Sequence, residues 1–395
     1  MNKKLFPILS AFLLLFSLIE KGQATETYRP ETSVAGFIQL PGSGRQVYNF
    51  NPGWRFFKGD IHGAESVDFD DRSWTIVSTP HTVELMPAEA SGCRNYQGPA
   101  WYRKHFVLPA ETKGKRVLIH FEAAMGKQVL YLNGKRIQEH VGGYLPFTLD
   151  LTTNGIQAGD SCLLAIFVDN SNDKSFPPGK PQYTLDFAYH GGIYRDVWMI
   201  AKSPVSITDP LDSQTVAGGG VFVHFDKISE KSAQVYVNTE LQNDNQHTET
   251  VTVETTLTDA DGKVIKRTSG KLSLKSGEKK IIRQQIEVKS PKLWSPDAPY
   301  LYKVQSRIKK GNQSIDGGIT RIGIRLAEFR GKDGFWLNGK PFVQLVGANR
   351  HQDFAYVGNA LPNSQQWRDA KRLRDAGCTI IRVAHYPQDP SFMDA

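Results

Sequence analysis

Short apolar segments separated by turn residues recur through the first half of the chain. They are clearest at residues 101–107, 116–121, 128–132 and 163–168. The dipeptide Asn133-Gly134, which follows the third of these segments, is typical of a two-residue hairpin turn. Because no helical period separates such closely spaced strands, the pattern predicts a jelly-roll β-sandwich over residues 45–202.

Plain alternation of apolar and polar positions follows over residues 204–326. Residues 235–241 place three apolar side chains and a threonine on one face of a strand, and residues 251–257 repeat this before a turn at 259–262. One buried face and one solvated face are typical of antiparallel sheets. The pattern therefore predicts an immunoglobulin-like β-sandwich.

The pattern changes again over residues 334–395. Residues 342–346 are almost continuously apolar, as are residues 379–384, and such runs are typical of parallel strands that are buried on both faces. A helical segment lies between them. A strand, a helix and a second strand predict one βαβ unit, with the two strands parallel and adjacent.

Local signals mark the two ends of the predicted helix. Asn363 is positioned as its N-cap, and Gln366 lies three residues later, where the partner in a capping box stands. Gly377 follows the helix where a C-terminal glycine is expected. The fold class predicted for the chain is therefore multidomain and mainly β: a jelly roll, an immunoglobulin-like sandwich, and the first βαβ unit of an incomplete (β/α)₈ barrel.

A histidine follows each of the two predicted barrel strands. The βαβ topology places His351 and His385 at the same end of adjacent strands, where barrel enzymes build their sites. Paired imidazoles can bind a metal ion, transfer protons or hydrogen-bond to hydroxyl groups. The sequence after the first strand reads His351-Gln-Asp rather than His-x-His, which argues against a metal centre. Alternatively, either histidine alone is a strand-end residue without a function.

Two arginines accompany these histidines. Arg350 and Arg382 would bring positive charge close to the predicted pocket, and buried charge requires a partner. No carboxylate partner is evident in the sequence, so we expect it to come from other strands of the barrel.

The first 24 residues have the layout of a secretory signal peptide. Lys3 and Lys4 precede an apolar run at residues 5–19, and Gly22-Gln-Ala24 offers a cleavage site. The run is shorter than the ~20 residues that span a bilayer. The mature chain is therefore expected to be periplasmic or secreted, with no membrane attachment after cleavage.

Charge and cysteine content exclude some classes of function. Removal of residues 1–24 takes away three lysines and one glutamate, which lowers the formal net charge from +8 to +6. The basic residues are scattered and form no nucleic-acid motif, so nucleic acid is not an expected partner. Three widely spaced cysteines do not indicate a disulfide framework.

Four motifs in order along the chain resemble glycoside hydrolase family 2, and its β-galactosidases most closely. They are GGIYRDV at residues 191–197, LWSPDAPYLY at 293–302, FWLNGKP at 335–341, and the pair NRH at 349–351 with HYP at 385–387. The resemblance covers the whole mature chain. It implies a sugar-binding jelly roll, an immunoglobulin-like domain and a barrel that carries the catalytic chemistry.

The resemblance also implies roles for individual residues. His351 and His385 match histidines that contact the sugar in the −1 subsite, and Arg382 matches an arginine that holds the nucleophilic glutamate. Asp186 matches a ligand of sugar hydroxyls. Asn95, with Gly98, matches an asparagine loop that reaches the same pocket, although an ordinary polar turn explains it equally well.

Arg195, Asp196 and Gln352, which lie in or beside these motifs, are interpreted in the same way. Asp196 is expected to pair with Arg195 in a structural turn. Gln352 stands where many relatives have an acidic residue or histidine, which suggests a different outer subsite.

The family's acid/base and nucleophilic glutamates are expected beyond Ala395, so the resemblance implies no catalytic residue, no metal ligand and no cofactor within this chain. A metal ion that assists some relatives would have its ligands elsewhere. The implied function is the N-terminal part of an exported retaining exo-β-glycosidase that acts on carbohydrate. A β-galactosidase is the first reading, and a β-glucuronidase or β-mannosidase is the alternative within the family. A non-catalytic carbohydrate-binding fragment is the alternative of another class, and the formation of a homo-oligomer stays open.

Overall fold

The computed structural model describes residues 31–32, 39–87, 95–216, 218–342 and 345–395. The predicted signal peptide and Cys93 lie outside these residues. The described chain forms two β-sandwiches followed by the start of a barrel, which is the mainly-β architecture predicted from the sequence.

Two antiparallel sheets make the first sandwich. Its strands are β1 (Glu31–Thr32), β2 (Gln46–Asn49), β3 (Trp54–Lys58), β4 (Thr75–Val77), β5 (Pro99–Val107), β6 (Arg116–Phe121), β7 (Gly126–Leu132), β8 (Lys135–Gly142), β9 (Phe147–Asp150), β10 (Ser161–Asp169) and β11 (Val197–Lys202). One sheet has the order β1-β2-β11-β6-β9, and the other has the order β4-β3-β5-β10-β7-β8. The predicted hairpin joins β7 to β8, with Asn133 and Gly134 both at positive φ as a type I′ turn requires.

Aromatic side chains fill the space between these two sheets. Phe50, Trp54 and Phe106 are fully buried, and Phe50 meets Trp54 and Phe106 edge to face at ring-centroid distances of 5.8 and 5.1 Å. The indole Nε1 of Trp54 donates to the carbonyl of Phe50 at 3.1 Å. The polar edge of this buried indole therefore has a partner, as buried tryptophan rings usually require.

The second sandwich is smaller and also antiparallel. Its strands are β12 (Val205–Ile207), β13 (Val221–Asp226), β14 (Ser232–Asn243), β15 (Glu249–Thr258), β16 (Val264–Leu274), β17 (Lys279–Lys289), β18 (Tyr302–Lys310) and β19 (Gln313–Ile322). Strand β14 pairs with β12, β13 and β17, and the facing sheet has the order β16-β15-β18-β19. Val235, Val237, Thr239 and Leu241 are all fully buried, which confirms the predicted alternation.

A buried ion pair joins the start of the first sandwich to the second. Both carboxylate oxygens of Asp316 on β19 accept from the guanidinium of Arg45, each at 2.8 Å. The same carboxylate accepts from the backbone nitrogen of Ile207 at 2.8 Å. Asp316 is fully buried, so this one side chain holds three segments together.

The barrel start follows a small three-stranded sheet. That sheet consists of β20 (Ala327–Phe329), β21 (Phe335–Leu337) and β22 (Lys340–Pro341). The βαβ unit consists of β23 (Gly347–Arg350), α1 (Asn363–Asp375) and β24 (Ile380–Val383), and a short helix α2 (Pro390–Asp394) ends the chain. Strands β23 and β24 are parallel, as the sequence predicts.

The first barrel strand begins later than predicted. It starts at Gly347, whereas Leu345 and Val346 precede it and are 42% and 48% exposed. For the described residues 342, 345 and 346 the predicted buried strand was wrong, and residues 343 and 344 lie outside the described residues. Within the described chain, β23 and β24 have only each other as sheet neighbours, so the outer edge of each strand is unpaired.

The capping box predicted for α1 was also wrong, while the predicted glycine was right. Pro362 occupies the N-cap position, and no side chain caps the helix there. Asn363 and Gln366 instead bond to residues outside the helix, described below. Gly377 has φ +88°, and the backbone nitrogens of Gly377 and Cys378 donate to the carbonyls of Arg374 and Leu373. These two bonds are those of a Schellman motif.

The barrel start docks on the first sandwich through buried polar groups. The side chain of Arg195 reaches the carbonyl of Pro387 at 2.6 Å and the side-chain oxygen of Gln352 at 3.1 Å. Asp196 accepts from Asn363 at 2.9 Å and from Asn51 at 3.0 Å. The expected Arg195–Asp196 pair does not form, because each residue bonds across the interface instead.

No helix within the described ranges combines the length and the apolar character that crossing a bilayer requires.

Substitution of Asp316 tests the junction between the two sandwiches. Asp316→Ala removes the acceptor for Arg45 and for the Ile207 nitrogen, and we expect the free energy of unfolding to fall by about 2 kcal/mol, as for lost hydrogen bonds to a charged group. Urea unfolding measures the effect. The matched control is Asp70→Ala, since Asp70 pairs with Arg72 on the surface, with side chains 60% and 73% exposed, and should change stability by less than about 0.5 kcal/mol. Equal effects of the two substitutions would contradict this assignment.

A second prediction concerns the buried carboxyl of Glu122, which accepts from the indole nitrogen of Trp198 at 3.0 Å. Burial and the nearby Asp196 and Asp389 raise the pKa of Glu122 from 4.5 to about 8. Between about pH 4.5 and pH 8 the folded chain keeps this proton, whereas the unfolded chain has lost it. The contribution of the neutral carboxyl to stability is therefore complete below about pH 4.5 and is lost as pH rises to about 8.

Glu122→Gln should remove this pH dependence. The variant should gain stability relative to the native chain as pH rises from about 5 to about 8.5, as measured by urea unfolding at both values. Glu230→Gln is the control, because that side chain is 82% exposed. A variant whose stability followed the native chain at both pH values would refute the prediction.

Candidate functional site

The parallel pairing of β23 with β24 brings the two histidines together. Arg350 and Val383 are the last register partners of the two strands; His351 follows the first directly, and His385 follows the second by two residues. The two imidazole centroids lie 5.4 Å apart, and their ring planes cross at 87°. The strand topology therefore places the two imidazoles at the same end of the sheet.

A buried phenylalanine from the first sandwich packs against both imidazoles. The ring of Phe187 lies 5.3 Å from His385 and 5.9 Å from His351, measured between centroids, and is 7% exposed. The sandwich loop therefore covers the ends of the barrel strands. Phe187 was missed in the sequence analysis, although its position directly after Asp186 was a signal.

A carboxylate stands on the open side of the histidine pair. Oδ1 of Asp186 lies 3.6 Å from Nε2 of His385, and its side chain is 77% exposed. The carboxylate accepts hydrogen bonds, whereas an imidazole nitrogen donates or accepts according to its tautomer. The described site thus offers both kinds of partner that a hydroxyl group needs.

Asn95 holds the loop that carries these residues. Its amide nitrogen donates to the carbonyl of Tyr189 at 3.1 Å, and its amide oxygen accepts from Gln182 at 2.5 Å. Gln182 in turn accepts from the backbone nitrogen of Tyr189 at 2.9 Å. The structure therefore gives Asn95 a positioning contact on either side of Asp186 and Phe187, and its direct contact with a sugar stays a prediction.

Arg350 points away from the histidines into a buried network. Its guanidinium donates to Asp369 and to Gln366, each at 2.7 Å, and also bonds Gln388. The ring centroid of Phe392 lies 4.0 Å from the central carbon of this guanidinium. The expectation that its carboxylate partner lies outside the chain was wrong, because helix α1 returns Asp369 to the strand.

Arg382 lies on the exposed side of β24. Its guanidinium comes within 3.5 Å of the amide oxygen of Asn349, its register partner on β23. Among the described residues it makes no further hydrogen bond or ion pair, and its role in holding a glutamate stays a prediction.

Gln352 does not face an outer subsite. It is 1% exposed, its side chain accepts from Arg195, and its backbone nitrogen donates to the hydroxyl of Tyr386 at 3.3 Å. The expected effect on an outer subsite was therefore wrong. The residue following His351 is used to dock the barrel start instead.

The side chains of two acidic residues of the barrel start, Asp353 and Asp389, are buried within the fold. Asp389 caps α2 by accepting from the backbone nitrogen of Ser391 at 2.8 Å, and burial raises its pKa. Asp353 is buried, with its carboxylate 4.0 Å from the imidazole of His190. Among the described residues there is also no cluster of three or more His, Cys, Asp or Glu side chains that could hold a metal ion.

Models of one family match three successive parts of the chain. The sugar binding domain of glycosyl hydrolases family 2 matches residues 64–204, and the model named glycosyl hydrolases family 2 matches residues 219–325. The TIM barrel domain of the same family matches residues 329–395.

Curated relatives with similar sequences carry two kinds of name. A β-galactosidase of Thermoanaerobacter pseudethanolicus is 35% identical over 89% of this chain, and a β-glucuronidase of Formosa agariphila is 34% identical over 90% of it. The chain spans 45% of the first relative and 37% of the second. It therefore corresponds to less than half of either protein.

Solved structures show the same relationship. The β-glucuronidase 2 of Bacteroides uniformis, covalently bound to cyclophellitol-6-carboxylate aziridine, superposes with a TM-score of 0.80 at 31% identity. The superposition covers 89% of this chain and 41% of that structure. With three consecutive domain matches and this shared architecture, the chain belongs to glycoside hydrolase family 2.

Proposed function

We propose that this chain forms one wall of the sugar-binding subsite of an exported retaining exo-β-glycosidase, with a terminal β-galactoside as its substrate. The observation that carries the proposal is the grouping of His351, His385 and Asp186, in which two imidazoles lie 5.4 Å apart and a carboxylate lies 3.6 Å from the imidazole of His385. The names of the relatives favour a glycosidase and include both galactosidases and glucuronidases.

The chemistry of this group suits a pyranose ring. Asp186 accepts from one or two sugar hydroxyls, and each imidazole supplies a further donor or acceptor. Phe187 closes the pocket behind them with an apolar wall. A few hydrogen bonds of about 1 kcal/mol each correspond to millimolar affinity for a single sugar.

Hydrolysis needs groups beyond this wall. A retaining glycosidase uses two carboxyl groups about 5–5.5 Å apart, one as acid/base and one as nucleophile. The described chain supplies two strands of a barrel that closes with eight. We infer that the further strands carry both carboxyl groups and that this chain holds and orients the sugar.

The charge at the pocket favours a neutral sugar over a uronic acid. Asp186 is exposed and its carboxylate would repel the carboxylate of a glucuronide. The β-glucuronidase reading is supported by the exposed guanidinium of Arg382 on β24, which could oppose such a charge. Comparison of the two glycosides therefore decides between the candidates.

Sugar binding by this chain is the first test. Methyl β-galactoside, added at up to about 100 mM, should shift the imidazole proton resonances of His351 and His385 with a millimolar Kd. Asp186→Asn should weaken binding roughly fivefold, since a charge-assisted hydrogen bond is lost. Assignment of the resonances uses His351→Gln and His385→Gln.

The control is Asp261→Asn in the turn between β15 and β16, which lies in the second sandwich and should leave the affinity unchanged. Resonances that stay fixed at every sugar concentration would refute the proposal. Tighter binding of methyl β-glucuronide than of the galactoside would transfer it to the β-glucuronidase alternative.

Turnover is the second test. The 395-residue chain should release no nitrophenol from 4-nitrophenyl β-galactoside above the rate in buffer, because we assign both reacting carboxyl groups to other strands. The full-length β-galactosidase of Thermoanaerobacter pseudethanolicus serves as the positive control. Turnover at a rate typical of glycosidases would show that this chain holds its own catalytic carboxylates.

A further inference from the structure

Basic side chains collect on the outer face of one sheet of the second sandwich, the sheet with the order β16-β15-β18-β19. Val251, Val253 and Leu257 of β15 are buried, so the residues that alternate with them point outwards. The register places five cations on the same side, and we call them the basic face: Arg267 and Lys271 on β16, and Lys303, Arg307 and Lys309 on β18.

A single carboxylate offsets these five cations. Glu254 on β15 lies 3.0 Å from Nζ of Lys309 and 4.0 Å from Nε of Arg267. Arg307 and Lys303 donate instead to backbone carbonyl groups, at 2.9 and 3.3 Å, which carry no charge to balance theirs. Among the described residues no other carboxylate forms an ion pair with the basic face, so a net charge of +4 remains on it.

The opposite sheet of the same sandwich shows no such excess. On its outer face, over the rows from Arg283 to Lys289 of β17, two acidic side chains accompany the two basic ones. They are Asp226 on β13 and Glu287 on β17. The positive charge is therefore a local property of the basic face. In the sequence it is hidden, because the cations occupy alternate positions of separate strands and form no run.

The basic face has the length and the composition to suit a hydroxyl-rich polymer. Lys303 and Lys309 are six residues apart on β18, which corresponds to roughly 20 Å of extended strand. Hydroxyl groups of Thr252, Ser269 and Ser273 lie between the cations, and no outward position of β15, of β18 or of residues 267–273 is aromatic or aliphatic. Lipid surfaces and single-stranded nucleic acids are usually bound with apolar or aromatic side chains, so this face favours an anionic glycan.

We propose that the basic face binds an acidic polysaccharide, a glycan that carries carboxylates on its sugars, and attaches the protein to it. Glu254 shows that a carboxylate fits between cations of neighbouring strands, and carboxylates of the glycan take equivalent places beside Lys271 and Lys303. The guanidinium of Arg267 is 59% exposed and can donate two parallel hydrogen bonds to a carboxylate. This binding is independent of the histidine pair, which belongs to the barrel start.

Binding of an oligogalacturonate to the 395-residue chain tests the proposal. The probe is end-labelled and long enough to cross the basic face, and its fluorescence anisotropy is followed at about 100 mM and about 500 mM NaCl. The double variant Arg267→Gln/Lys271→Gln should weaken binding roughly fivefold at the lower salt concentration, because two exposed charges are lost. The higher salt concentration should weaken binding by the native chain at least as much.

The matched control is the double variant Arg283→Gln/Lys289→Gln. It removes the same number of charges from the opposite sheet and should keep the affinity within about twofold of the native value, because charges farther away than about 10 Å are largely screened at 100 mM salt. Circular dichroism of both double variants establishes that they are folded. A neutral oligoglucan of the same length should not bind.

The outcomes separate this proposal from the proposed function. Absence of binding by the native chain, equal losses in the two double variants, or equal affinity for the neutral oligoglucan would overturn the basic face as a glycan site and leave the sugar pocket standing. Tighter binding of a DNA oligonucleotide of the same charge would replace the glycan by nucleic acid and refute the proposal. Self-association of Arg267→Gln/Lys271→Gln, with no oligogalacturonate binding by the native chain, would show that these cations only protect the edge strand β16 from pairing.

Discussion

The geometry of the site depends on the hydrogen bonds that the buried guanidinium of Arg195 donates. It donates to the carbonyl of Pro387 and to the side chain of Gln352, and lies 3.9 Å from the carboxylate of Asp389. Gln352 follows His351, and Pro387 follows His385 by two residues. The guanidinium of Arg195 on the first sandwich thus fixes the ends of both barrel strands. Because a buried charge without partners is strongly destabilising, these contacts must be kept for the fold to be stable.

Local signals in the sequence were sufficient for much of the fold. The alternation at residues 235–241 was correct because each side chain's face depends only on the strand's period of two. Asn133-Gly134 and Gly377 were correct because the turn and the helix end each need a positive φ at those positions. These features are decided within a few residues, so no knowledge of distant contacts was required.

Features that depend on distant contacts could not be predicted in this way. Arg350 meets Asp369 only because the crossover helix folds back over the strand, and Asn363 bonds Asp196 rather than capping its own helix. The proximity of the histidines followed from the parallel topology, and the approach of Asp186 to His385 followed the resemblance to known enzymes. The packing of Phe187 against His385 and the hydrogen bond from Gln182 to Asn95 depend on a loop conformation that no periodic pattern encodes.

The residues that face the pocket are divided between two structural units. Asp186 and Phe187 belong to a sandwich loop braced by Asn95, whereas the imidazoles are carried by the barrel strands. Substitutions in the loop can therefore change the pocket without altering the backbone hydrogen bonds between β23 and β24. Such a division allows substrate specificity to change through the loop while the paired barrel strands stay the same.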